Sequence, residues 1–370
     1  PNWAYVLFQE PNGTFVSFEF KENYPALTNE LSEYISVKTL IGFHSNSYDD
    51  HILQHLISST SSPASTYELS KHLIESDKYR KPAIVKSIDL MGSTGQVSLK
   101  LLAVRMGWPK LEELPFDPTK PVNAKAISHL KDYCKNDVLI TAELYKRMAG
   151  ALKNRQCLSE KYGVDLLSAT EPNIAETVIT SEYEKQTGLN KYALKKLAKK
   201  PVTVTLTCPE WFDSITHPAL KRFVDKVRSV VVPVKDSGHA DTSELNAVIP
   251  IGDRSYKVGG GGIHSIDGPG CYRSNDKESI VEIDVTSYYP AIIIQNNLWV
   301  NHTRPEIISE IYAGIVNARI AAKRAGDKLT ADSYKIVINS YFGKHSNIYS
   351  ALYDPAIGAS VTVIGQIGLL

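Results

Sequence analysis

Residues 281–294, VEIDVTSYYPAIII, put one carboxylate in the middle of a run otherwise suited to a protein interior. Val281, Ile283 and Val285 alternate as strand residues do, and Ile292, Ile293 and Ile294 continue as buried apolar sequence. The pattern therefore predicts Asp284 on a core strand, ahead of Thr286, Ser287, Tyr288, Tyr289 and Pro290. A bare carboxylate on such a strand is costly unless a partner compensates it. Any fold of this chain has to supply that partner.

The frame around this strand is that of a globular chain. With 370 residues, 43% hydrophobic and 22% charged, it has room for two or three domains. It contains no run of 18 apolar residues, so no membrane span is expected, and no secretory leader is visible. Cys134, Cys157, Cys208 and Cys271 are scattered without CxxC pairing. They read as free thiols in a reducing compartment, which predicts a cytoplasmic protein. The net charge of +1 neither supports nor excludes a nucleic-acid partner. The basic stretches KYALKKLAKK (191–200) and LKRFVDKVR (220–228) read singly as solvated helix faces. Their place between two candidate catalytic regions makes a phosphate-contacting role attractive. The chain starts at Pro1 and stops in the apolar run GQIGLL, so both ends read as cut from a longer chain.

Residues 1–150 alternate strand and helix signals. WAYVLFQ and GTFVSFEF flank EPNG, a hairpin signature. TLIGFHS predicts a buried strand running into the helical start NSYDDHILQHLIS, and IVKSIDLM predicts another strand. AKAISHLKDYCKNDVLITAELYKRM predicts a long amphipathic helix, giving an α/β domain with a mixed sheet. Residues 151–250 form a less regular connecting region with a PVTVTLT strand. Strands broken by a glycine run return over 247–290, and two helices are expected over 305–325 and 331–343.

Asp49 falls where a strand ends and a helix begins, the position at which sites of α/β folds gather. Tyr133 and Asp137 lie four apart, on one helical face. Two carboxylates for divalent cations and a phenol to orient a water are what two-metal phosphodiester hydrolysis requires. The plainer alternatives are a helix cap for Asp49 and a surface acid for Asp137. Further on, Arg319 and Lys323 share one helical face, and Lys335, Asn339 and Phe342 share another. Cations match a triphosphate, an aromatic ring stacks on a base, and Asp284 suits the Mg²⁺ that bridges phosphates. Singly, Arg319 and Lys323 read as solvated and Lys335 as snorkelling. The run SYKVGGGGIHS (255–265) offers close backbone approach to a ligand or a flexible hairpin tip, with His264 closing the hairpin.

Taken together, these residues resemble a family B DNA polymerase of the bacteriophage type. DVTSYYP resembles palm motif A, KIVINSYFG resembles motif B, and YKVGGGGIHS resembles the Tyr-x-Gly-Gly region. GFHSNSYD and YCKND resemble the second and third exonuclease motifs. The resemblance implies an α/β, RNase H-like 3′–5′ exonuclease domain over 1–150 and a connecting region over 151–250. An α+β palm would follow over 251–300, short two-helix fingers over 301–345 and the start of a second palm part over 346–370. It implies metal binding by Asp284, Asp49 and Asp137, with Tyr133 positioning the water. Tyr289 would be a gate against ribose, Arg319, Lys323 and Lys335 the grip on the triphosphate, and Asn339 and Phe342 would shape the nascent base pair. Tyr256, Gly259, Gly260 and Lys344 would contact DNA. The implied cofactor is Mg²⁺ or Mn²⁺. The implied partners are primer–template DNA, dNTPs and replication accessory proteins, without a membrane, and in a host cytoplasm if the source is viral.

Three features depart from the family pattern. The first exonuclease motif, Asp-x-Glu, and motif C are absent, and His44 stands where Asn is usual. The expectation is an active parent protein whose present segment lacks half of each metal site. Asp284 and Arg319 are 35 positions apart, which argues against the long insertion of protein-primed relatives. The competing expectations are a nuclease with a polymerase-like DNA clamp, and a non-catalytic DNA-binding relic.

Overall fold

The computed structural model describes residues 2–21, 27–58, 61–76, 83–95, 97–114, 116–117, 119–285 and 287–370. Thr286, in the stretch that resembles a palm motif, lies outside them. The chain divides into two compact units, one of residues 1–156 with 165–170, the other of residues 157–164 with 171–370. No helix among the described residues is long and apolar enough to cross a membrane.

In the first unit, β1 (Trp3–Gln9) and β2 (Phe15–Lys21) form the antiparallel hairpin that EPNG predicts. Helix α1 (Thr28–Ser36) leads to β3 (Leu40–Gly42), which is followed by α2 (Asp49–Leu56) and α3 (Pro63–Glu75). Strand β4 (Ser87–Asp89) pairs parallel with β3. The described strands thus make two two-stranded sheets, one antiparallel and one parallel, where the sequence predicted a single mixed sheet with longer strands. Helices α4 (Met91–Thr94), α5 (Leu99–Met106), α6 (Ala124–Arg147) and α7 (Ala149–Tyr162) complete the order. Asn123 starts α6 by accepting from the Ala126 amide at 2.9 Å, an ordinary N-cap. One apolar core joins Phe18, Phe20, Leu31, Leu53 and Leu56; another joins Leu90, Leu144 and Leu152.

The second unit is mostly helical. It opens with α8 (Glu171–Thr187) and α9 (Lys191–Leu197). The two-residue strand β5 (Thr203–Val204) pairs antiparallel with β6 (Val232–Pro233), and α10 (Pro218–Ser229) lies between them in sequence. Strands β7 (Ala247–Ile251), β8 (Arg254–Gly259) and β9 (Gly262–Ser265) form an antiparallel meander. Four helices follow: α11 (Tyr288–Gln295), α12 (Pro305–Arg324), α13 (Lys328–Lys344) and α14 (Pro355–Leu369). Asp327 caps α13 on the Thr330 amide at 3.1 Å, which sets the short joint between α12 and α13. Helix α8 packs on both α12 and α13, burying Ile174, Val178, Ile179 and Tyr183 against them.

The sequence expectation for Asp284 needs correction. Residues 266–285 form neither helix nor strand, and Ile280, Val281 and Ile283 are exposed, Ile283 to 88%. A strand is stable only when neighbours satisfy its backbone groups. The meander ends at β9, and no described strand pairs with 280–285. Asp284 is accordingly solvated and carries no burial cost. Trypsin is expected to cut after Arg273 and Lys277 about 10-fold or more faster than within α6 or α12, whose backbones must first open. Mass spectrometry of a digestion time course checks this. Protection of both bonds would mean that the segment has found a partner.

The end of α13 buries His345 completely, beside Tyr341, with ring centroids 4.5 Å apart. Burial pushes the His345 imidazole down to about 4, opposed by its hydrogen bond to the Leu352 carbonyl. The unfolded chain takes up this proton at higher pH than the native one. Stability is therefore expected to fall as pH drops from about 6.5 toward 4, by roughly 3 kcal/mol from this group. Urea titrations across that range check it, and His345→Gln should remove this part of the slope.

Candidate nucleic-acid and nucleotide site

In the first unit, Asp49 opens α2 directly after a short turn at residues 45–47. It is not the helix cap, a position held by Tyr48. Asp49 is exposed, with protein atoms close enough to its carboxylate to desolvate it in part. That desolvation, with the charges of Asp50, Asp89 and Asp137, pushes its pKa up to about 7. Half-buried Tyr133 and Asp137 lie one turn apart on α6, the phenol directed at the carboxylate. Burial raises the Asp137 pKa, while Tyr133 and then Lys100 pull it down. The structure thus brings Asp49, Asp137 and Tyr133 into one electrostatic neighbourhood.

Three other residues join that neighbourhood without a sequence expectation. Asp89 ends β4, and its carboxylate accepts from the amides of His44 at 2.8 Å, Asn46 at 3.1 Å and Met91 at 2.9 Å. It thereby fixes the turn that presents Asp49. Asp50 is buried and accepts from the Ser87 hydroxyl. Lys100 on α5 pairs with Glu113 at 2.6 Å. Asp89 had a readable signal, since it lies at the carboxyl end of a parallel strand. Lys100 had none, because its relation to Asp137 depends on how α5 meets α6.

Crowded carboxylates with a raised pKa suit a hard divalent cation, which relieves their repulsion. Asp49 and Asp137 fit such an ion as oxygen donors. Among the described residues, no group of three or more His, Cys, Asp or Glu side chains is arranged to hold a metal ion.

In the second unit, the turn at Ser287–Tyr289 meets the helices. Ser287 caps α11 with φ +53°, a left-handed conformation uncommon for serine. Its hydroxyl accepts from Arg319 of α12 at 2.8 Å, which helps to hold that conformation. The ring of Tyr289 lies 4.7 Å from that of Phe342 on α13. Tyr288 anchors the same turn by donating to the Gly365 carbonyl at 2.6 Å. Ser287, Tyr289, Arg319 and Phe342 are thus gathered at one junction. Lys323, Lys335 and Asn339 are exposed on α12 and α13, and Asp284 is exposed on the irregular segment before the junction.

The glycine run is the turn of the β8–β9 hairpin, with Gly259 opposite Gly262. A Cβ on Gly259 would lie 2.6 Å from the Asn246 side-chain oxygen, so any larger residue requires Asn246 to move. The Gly259 carbonyl accepts from Gln366, Tyr256 is half-buried and Gly260 exposed. His264 pairs with Lys257 across the hairpin. Lys344 is placed differently from an exposed DNA contact. It is 3% exposed and held by Glu176 at 2.7 Å and Asn173 at 2.7 Å. Its ammonium is spent inside the protein, because α8 brings it a buried acid.

No protein-family model matches the chain. No curated protein matches it either. Among solved structures, it is similar to the family B DNA polymerase of the hyperthermophilic archaeon Pyrobaculum calidifontis. The match has a TM-score of 0.50 and 13% identity, over 100% of this chain and 50% of that one. The chain therefore spans about half the length of that polymerase, and its mixed α/β architecture is of a general polymerase type.

Proposed function

We propose that the protein carries out template-directed DNA synthesis with 3′–5′ exonucleolytic proofreading, on primer–template DNA and dNTPs, with Mg²⁺ or Mn²⁺. The observation that most supports this is the junction of Tyr289 with Phe342 and of Ser287 with Arg319, beside the exposed Lys323, Lys335 and Asn339. In this reading Arg319, Lys323 and Lys335 bind the triphosphate and Asn339 and Phe342 orient the base. The ring of Tyr289 would exclude a ribose 2′-hydroxyl. Tyr256 and the Gly259–Gly260 turn would follow the DNA backbone. In the first unit, Tyr133 orients a water and Asp49 and Asp137 hold the cation. A divalent cation, when bound, neutralises phosphate charge in both reactions. Asp284 would be the palm carboxylate that binds it for synthesis.

A nuclease that uses the second unit as a DNA clamp is the alternative. It is favoured by one contrast: the Asp49–Asp137 neighbourhood is assembled, whereas Asp284 lies on a segment without strand partners. Labelled primer–template with Mg²⁺, given to the full-length parent protein, decides between them. Extension with dNTPs and shortening without them are expected. Shortening under both conditions would leave the nuclease, and neither activity would sink both readings.

A further inference from the structure

The chain has a second surface whose chemistry suits nucleic acid, built from residues not assigned above. The segment 191–200, KYALKKLAKK, carries five lysines and no acid. Two of these lysines are engaged: Lys191 reaches Glu176 at 3.4 Å and Lys200 reaches Asp236 at 3.3 Å. Lys195, Lys196 and Lys199 are exposed and have no ion-pair partner among the described residues. Tyr192, on the same helix, is 76% exposed, and Tyr349, in the turn after α13, is 72% exposed. The Lys195 ammonium sits 5.6 Å from the Tyr349 ring centroid, so helix and turn form one face. Both parts are anchored beneath by a single buried carboxylate. Glu176 takes the Ala351 amide at 2.6 Å on the side of the turn and Lys191 on the side of α9.

Two rings this exposed contribute little to a core. Set among unpaired lysines, they match a strand whose bases are free to stack and whose phosphates need cations. A duplex hides its base faces, so only a single strand uses both features. We propose that Tyr192, Tyr349, Lys195, Lys196 and Lys199 form a binding surface for single-stranded DNA, with bases on the two rings and phosphates on the lysines. This goes beyond the polymerase reading, and rests on it only in taking the natural strand to be template.

The test uses the whole chain with a fluorescent oligothymidylate of about 16 nucleotides and a duplex of the same length. Tyr192→Ala and Tyr349→Ala should each weaken single-strand binding about 10-fold, leave duplex binding unchanged and leave the melting temperature unchanged. Phenylalanine at either position should restore binding. Lys196→Gln with Lys199→Gln should lower the salt slope for the single strand by about 1.4. A 5-iodouracil oligonucleotide should crosslink to Tyr192 or Tyr349. Unchanged single-strand affinity in both alanine variants, equal losses for duplex, or crosslinks only elsewhere would overturn the surface. Primer extension by the full-length parent protein separates the two ideas. Extension without a tyrosine effect sinks this surface and keeps the polymerase reading. A tyrosine effect without extension does the reverse.

Discussion

In the full-length parent protein, Asp284→Asn is expected to lower dNTP incorporation by about 10³-fold or more while leaving shortening of the primer intact. The side chain is solvated and lies on a segment with no strand partner, so its removal costs the fold little. An unchanged melting temperature with lost synthesis would therefore report on chemistry alone. An acid held by its neighbours would not allow so clean a test. Asp49 is the contrast: it lies among Asp50, Asp89 and Asp137, and its removal changes local repulsion as well as any ligand set. If Asp284→Asn extends primers at the parent rate, the palm role assigned to it is wrong. If it loses both activities with an unchanged melting temperature, the two sites are not separate.

Lys344→Met should lower stability by about 3–5 kcal/mol, because it leaves Glu176 buried beside Ala351 and a distant Lys191. In a unit of this size that corresponds to a melting temperature lower by roughly 10 °C. Glu176→Leu combined with Lys344→Met should recover most of the loss, since a buried ion pair replaced by apolar groups is often near neutral. Burial alone would raise the Glu176 pKa, but Lys344, the Ala351 amide and Lys191 together bring it below the usual value. Its contribution is thus present above about pH 4.5 and lost as pH falls through the lowered native value. Calorimetry of the three variants tests this. An unchanged melting temperature in Lys344→Met, with weaker DNA binding, would return Lys344 to the exposed role that the family resemblance implies.

These two residues mark where sequence reasoning succeeds and where it stops. Local signals were legible. The EPNG turn gives the β1–β2 hairpin, Asn123 and Asp327 cap the helices that carry Asp137 and Lys335, and a spacing of four sets Tyr133 against Asp137. Alternation in VEIDV was legible too, but it specifies faces, not neighbours, and a strand needs neighbours. The burial of Lys344 was illegible because its acid lies on α8, in a stretch with no motif. Asp89 had a readable strand-end position, but its work of accepting from the His44 and Asn46 amides depends on how β4 lies beside β3, which no spacing shows.

The pairing of α8 with the last turn of α13 also bears on how the chain acquires its structure during synthesis. Asn173 and Lys344 are 171 positions apart, and Glu176 and Ala351 are 175 apart. All residues of the first unit precede α8 in the chain, so they are synthesised while α8 still waits for its partner. Through that interval Glu176 remains hydrated and the apolar face of α8 uncovered. Closing so long a loop before any contact rewards it makes the second unit the slower to form. A nascent chain paused before α13 would hold one finished body and one helix in need of shelter, which is the state a ribosome-bound chaperone is suited to meet.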